Sequence, residues 1–158
     1  QFSKLQYTAS LNGWTRFVSM QDEYNLIMRE EEREMFGLLA DSWVGSIPFS
    51  PLAKGRLARP WGERSARSDV DPVGRRYDTH DDGPIVDAVA RVAEAHGVPM
   101  AQVALAWVLK NPVVTAPIVG ASKPHHLADA AAALDLHLTT DEVAALEAHY
   151  TPRLPQSF

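Results

Sequence analysis

The segment Gly120-Ala121-Ser122-Lys123-Pro124 sets small residues, a hydroxyl and a cation immediately before a predicted helix. Free backbone N–H groups, the positive end of the helix dipole and the Lys123 ammonium converge there, and such a convergence binds anions. Ser122 also reads as the N-cap of that helix. The two histidines that follow do not form a metal pair, because adjacent helical residues point about 100° apart. His125 and Asp129 stand four residues apart and share a face, but two ligands do not make a metal site. No metal is expected.

These residues need a scaffold, and the sequence outlines one. Apolar residues between Phe2 and Asn12 read as a helix stopped by Asn12-Gly13. Residues 15–20 (TRFVSM) read as a short buried strand. The stretch Glu30 to Asp41 predicts a helix whose acidic first turn suits the dipole. Residues 44–49 predict a second strand. Residues 56–82 carry no clear periodicity and mix six arginines with acids and prolines, as functional or mobile loops do. Amphipathic Pro84–His96, closed by Gly97, and nearly all-apolar Pro99–Lys110 predict two more helices. Residues 113–119 (VVTAPIV) predict a third strand, and a helix runs from Pro124 to about Leu134. The last helix opens at Thr139, which forms a Thr-x-x-Glu capping box with Glu142.

Strands alternating with helices imply an α/β fold with parallel strands and right-handed crossovers. Three apolar strands imply a sheet covered on both faces. A closed barrel of this type needs eight, so the pattern favours a partial (β/α)₈ barrel. The chain has 158 residues, of which 46% are apolar and 22% charged, with a net charge of −5. That charge is no match for nucleic acid or an anionic membrane. No run of about 18 apolar residues occurs, so no membrane span is expected. The chain has no cysteine, which fits a reducing cytoplasm. It opens on Gln1-Phe2-Ser3-Lys4, inside an amphipathic stretch, and an upstream segment is expected.

Three segments at strand ends resemble the aldo-keto reductase family. They are Met20-Gln21-Asp22-Glu23-Tyr24-Asn25, Ile47-Pro48-Phe49-Ser50-Pro51-Leu52-Ala53-Lys54-Gly55 and Pro117-Ile118-Val119-Gly120-Ala121-Ser122-Lys123. The resemblance implies that residues 1–158 are the C-terminal half of that barrel, strands six to eight, with a long rim loop at 56–82 and a closing helix and tail at 136–158. It implies NADP as cofactor. Gln21 would bond the nicotinamide carboxamide, and Phe49 would lie against the nicotinamide ring. Ser50, Leu52, Lys54 and Gly55 would wrap the pyrophosphate. Gly120, Ser122 and Lys123 would hold the adenosine 2′-phosphate, with His126 and Asp129 nearby. Ala130 departs from the Asn often found beside that acid. Asn25 defaults to a turn-stabilising role.

The family's Tyr, Lys, Asp and His tetrad comes from the first four strands, which this chain lacks. Tyr7, Tyr24, Tyr77 and Tyr150 are outside the tetrad's Tyr context, so no catalytic residue is assigned. The resemblance implies an oxidoreductase that moves hydride between NADPH and an aldehyde or ketone, to which this chain contributes the cofactor side. The alternative is a non-catalytic NADP-binding or structural half-barrel. Inward side chains such as Val18, Met20 and Ile47 are expected to meet the missing half or another copy of the chain.

Overall fold

A short parallel ladder sets the positions of everything else. The computed structural model describes residues 1–63 and 82–153. Strand β1 (Ser19–Met20) pairs in parallel with β2 (Gly45–Ser46), Ser19 against Gly45 and Met20 against Ser46. Main-chain hydrogen bonds carry the pairing further. Gly45 N donates to Val18 O at 3.1 Å, Ile47 N to Met20 O at 2.8 Å and Phe49 N to Asp22 O at 2.8 Å. A third extended segment lies along the other side of β2. Ser46 N donates to Val113 O, Thr115 N to Ser46 O and Ile118 N to Pro48 O, each at 2.8 Å. Ser46 and Val114 form an isolated parallel bridge. Gly45 carries no side chain because the Thr115 side chain fills the space a Cβ would need.

The strands are shorter than the sequence predicts. Regular pairing covers Ser19–Met20 of the expected 15–20 and Gly45–Ser46 of the expected 44–49, and residues 113–119 contribute a bridge rather than a strand. A strand is defined by its partners, and among the described residues β1 is paired on one side only. Val18 is 78% exposed, whereas Met20 and Ile47 are half-buried.

Six α-helices lie among the described residues. Helix α1 (Phe2–Leu11) ends at Asn12, and Gly13 turns the chain with φ +66°. The predicted helix over 30–41 is broken into a 3₁₀ turn, Glu30–Glu32, and α2 (Met35–Ser42), because Glu34 leaves helical geometry at φ −139°. Two of its three adjacent carboxylates serve different partners: Glu30 meets Tyr150 and Arg153, and Glu32 meets Tyr24 and Arg29. Helix α3 (Gly83–His96) stops at Gly97, which takes the left-handed conformation that glycine allows. Helix α4 (Met100–Leu109) is buried without interruption from Gln102 to Val108, as its all-round apolar pattern requires. Helix α5 (Pro124–Ala132) passes into a 3₁₀ turn, Ala133–Asp135. Helix α6 (Thr140–Glu147) opens with the capping box that Thr139 and Glu142 predict. Of the expected rim loop, residues 64–81 lie outside the described residues, as do residues 154–158 of the expected tail.

The core lies between the ladder and α3, α4 and α6, with Leu26, Ile27, Leu39, Val89, Val103 and Leu146 fully buried. Trp107 is its hub. Its ring lies 5.1 Å from the Tyr24 ring, and its Nε1 donates to Glu147 of α6 at 2.8 Å. Trp107→Ala should therefore cost about 3–5 kcal/mol, the usual range for truncating a large buried aromatic. Urea denaturation checks this, and the midpoint should fall with little change in slope.

Candidate functional site

Side chains alternate across an extended strand, and this decides which residues face the open side of the ladder. In 20–23, Asp22 is buried whereas its neighbour Gln21 is exposed. In 45–49, Ser46 and Pro48 are buried, while Ile47 and Phe49 remain half-buried on the other parity. Gln21 and Phe49 thus share the less covered face at adjacent strand ends, tied by the bond from Phe49 N to Asp22 O. The bond from Ile118 N to Pro48 O sets the third segment's end beside them, and Gly120 follows two residues later. The three predicted segments therefore leave the ladder on one rim.

The loop after β2 is unusual in its backbone. Ser50, Ala53 and Lys54 have φ of 53°, 47° and 58°, and Gly55 has φ 89°. Left-handed geometry costs an ordinary L-residue roughly 1–2 kcal/mol. The strain is held by specific bonds. Asn25, fully buried, donates from Nδ2 to Ser50 O at 2.9 Å, and its Oδ1 accepts from Ile27 N and Met28 N at 2.9 Å each. Ala53 N donates to Ser50 O and Gly55 N to Leu52 O. Arg59 Nε donates to Gly55 O at 3.0 Å, and a Cβ on Gly55 would collide with the Arg59 guanidinium. Lys54 is exposed and Leu52 is half-buried. Asn25 therefore does more than close its own turn: it fixes the start of the Ser50 loop from another strand's end.

At the third segment, Gly120, Ser122 and Lys123 are exposed, and His126 and Asp129 are half-buried. The structure corrects the expected Ser122 cap. Lys123 occupies the N-cap position, and no side chain caps α5. With Pro124 opening the helix, Ser122 lies one residue too early, and its N–H points instead to His126 Nδ1 at 3.4 Å. The first turn of α5 is left without a side-chain acceptor. The His125 and His126 rings pack edge-on, with centroids 4.5 Å apart.

Two tyrosines are structural. Tyr24 donates to Glu32 at 2.7 Å and packs against Phe36 and Trp107. Burial, and then that bond to Glu32, push its hydroxyl pKa up, so it keeps its proton. Tyr150 donates to Glu30 at 2.6 Å, and burial and Glu30 push it up to about 12. Tyr77 lies outside the described residues. Sequence reasoning missed the polar lock around Glu30, since nothing in the spacing joins residues 120 positions apart. Glu30 accepts from Tyr150, from Arg153 N at 2.7 Å and from Arg33 at 3.0 Å. Arg153 in turn makes a buried ion pair with Asp82 at the start of α3. Burial alone would raise the Glu30 carboxyl, but these donors outweigh it and hold the pKa below the usual range.

This geometry coincides with a family assignment. The chain belongs to the aldo/keto reductase family, whose sequence pattern it matches over residues 2–151. It is 42% identical to versiconal hemiacetal acetate reductase of Aspergillus parasiticus, over 97% of this chain and 46% of that protein. It is 45% identical to an aldo-keto reductase of Fusarium vanettenii, over 97% of this chain and 42% of the relative. A putative aryl-alcohol dehydrogenase of Schizosaccharomyces pombe is 41% identical, over 96% and 44% respectively. The chain thus spans somewhat under half the length of these relatives. The family implies a (β/α)₈ barrel, and the described residues form an α/β arrangement with a small parallel sheet. Among the described residues no single helix is long and apolar enough to cross a membrane.

Gly55→Ala should lower stability by about 1–2 kcal/mol through backbone strain, read as a fall in the urea midpoint, and it should displace Arg59. Glu30→Gln gives a pH-dependent result. A carboxyl held low when folded stabilises above its unfolded pKa, and that contribution is lost as pH falls through the folded pKa. The variant should therefore be less stable than the parent at pH 7, and the gap should close in acid below about pH 4. Denaturation at several pH values checks it.

Proposed function

We propose that this chain is the C-terminal half of an aldo-keto reductase barrel and supplies the cofactor side of an NADP-dependent oxidoreductase. The complete enzyme transfers hydride between NADPH and an aldehyde or ketone, and it works in the cytoplasm. One observation carries the reading. Gln21, Phe49 with its strained loop, and the uncapped start of α5 with Lys123 leave parallel segments on one rim, which is the rim where such barrels bind ligands.

The residues fit the cofactor chemically. The Gln21 amide can donate to and accept from a carboxamide. Phe49 offers an apolar ring to a planar heterocycle. Ser50, Lys54 and the glycine backbone at 55 suit a pyrophosphate, with Leu52 packed beneath. The α5 N-terminus has no side-chain acceptor, so its dipole and the Ser122 hydroxyl and Lys123 ammonium are available to a phosphate. His126 and Asp129 border that position. The cofactor supplies the hydride when bound, and this chain orients it and shields the ring from water. The proton donor and its tuning lysine belong to the missing half, so no residue here is assigned to proton transfer.

That half, or another copy of the chain, is the partner we assign to the open side of the ladder. Val18 is exposed on β1, which has one strand partner among the described residues, and exposed apolar surface of this kind usually finds a partner. The 158-residue chain alone should give no NADPH oxidation with 4-nitrobenzaldehyde, and sedimentation should show association. Turnover by a verified monomer would overturn the division of labour. In the complete enzyme, Lys123→Ala should remove one charge-assisted contact, about 1.5–3 kcal/mol, and weaken NADPH by roughly 10- to 100-fold. NADH should be almost unaffected. Equal losses for both cofactors in titration calorimetry would count against the 2′-phosphate assignment.

A further inference from the structure

Asp22 stands between the two rim residues just described, and its environment is ill-suited to a charge. The residue is 5% exposed. Its Oδ1 accepts one bond, from the neutral Ser46 hydroxyl of β2 at 2.8 Å. Its Oδ2 has no hydrogen-bond partner among the described residues. Its main-chain O accepts from Phe49 N. Asp22 therefore bonds the 46–49 segment through both side chain and backbone, directly beside Gln21.

The surroundings add no compensating charge. Glu31 of the 3₁₀ turn lies close enough for like-charge repulsion, with Glu30 beyond it and Glu23 next along the chain. Helix α2 contributes Phe36 and Leu39 to the core. The third segment, 113–119, contains no titratable residue. An ionised carboxylate buried with one oxygen unpaired is strongly disfavoured, and such a group keeps its proton instead. Burial is the leading influence on Asp22, and it acts in that direction.

We propose that Asp22 is a proton-gated positioning residue: as the neutral acid it joins β1 to β2 beneath Gln21 and Phe49, and loss of its proton loosens that joint. The consequence for a cofactor rests on the function proposed above. The joint itself rests only on the contacts of Asp22, so it is tested without cofactor.

A carboxyl raised by folding stabilises fully below its unfolded pKa, about 3.9 for Asp. That stability drains away as pH rises toward the folded pKa, by up to tenfold in the folding constant per pH unit for one proton. Asp22→Asn keeps a neutral side chain of the same shape at every pH. In urea denaturation of the full chain, the ratio of folding constants, variant over parent, should therefore grow from about pH 4 upward and then level off. A ratio that stays flat from pH 4 to 8 overturns the proposal. Carbon NMR of the Asp22 carboxyl in the parent chain gives an answer that needs no variant to fold. Its resonance should hold steady through the pH range centred on about 3.9 where an unperturbed aspartate titrates, and titration in that range overturns the proposal.

Discussion

The rim depends on a few main-chain hydrogen bonds at the C-terminal ends of parallel segments. Met20 O to Ile47 N and Asp22 O to Phe49 N fix β1 against the β2 segment, and Pro48 O to Ile118 N fixes the third segment. Because side chains alternate, those bonds also fix faces. A slip of one residue would turn Gln21 and Phe49 into the helical layer and bring Asp22 and Ser46 out. The register is protected by what that slip would bury and expose: Tyr24, Val44 and Pro48 lie in the covered layer, and Gly45 is the position where Thr115 leaves no room for a side chain.

Behind the ladder, helix α4 joins apolar packing to a polar rim. Trp107 fills the centre, and the Arg29 guanidinium lies 5.3 Å from its ring and 5.1 Å from that of Tyr150. Arg29 also pairs with Glu32 at 2.8 Å and Glu147 at 3.0 Å. Glu147 accepts from Trp107 as well and lies 3.2 Å from Lys110. Burial would raise the Glu147 carboxyl, but the Trp107 bond and the two cations prevail and hold it low. The segment after β1, the end of α4 and the end of α6 are thereby gathered around one buried indole. The loops above the ladder rest on this assembly.

Much of this was legible in the sequence because it is local. The capping box at Thr139 and Glu142, the stop at Gly97 and the all-round burial of α4 each follow from residues within a few positions of one another. The order of elements and the three rim segments were legible for the same reason. What escaped was set by distant partners. The helix expected over 30–41 breaks at Glu34, after a turn in which Glu30 is held by Tyr150 and Arg153 from the far end of the chain. Ser122 has the composition of a cap but not the register, because Pro124 fixes where α5 begins. The Asp22–Ser46 bond left no trace, since a buried acid and a surface acid have the same letter.

Of the four described non-glycine residues with left-handed backbone, Ser50, Ala53 and Lys54 belong to one loop, and Trp43 is the fourth. Trp43 is 94% exposed at the end of α2, and nothing in the structure explains its side chain. The loop is different, because its strain is over-determined by Asn25, by its own turns and by Arg59. Such strain persists only where surrounding contacts enforce it, and it gathers at functional sites. A relaxed loop would leave the strand end in the ordinary extended or helical regions. This one turns tightly on itself, with Ala53 N bonded to Ser50 O and Gly55 N to Leu52 O. The contact from Asn25 comes from the end of the neighbouring strand segment, so the ladder that places Phe49 also fixes the start of the loop after it.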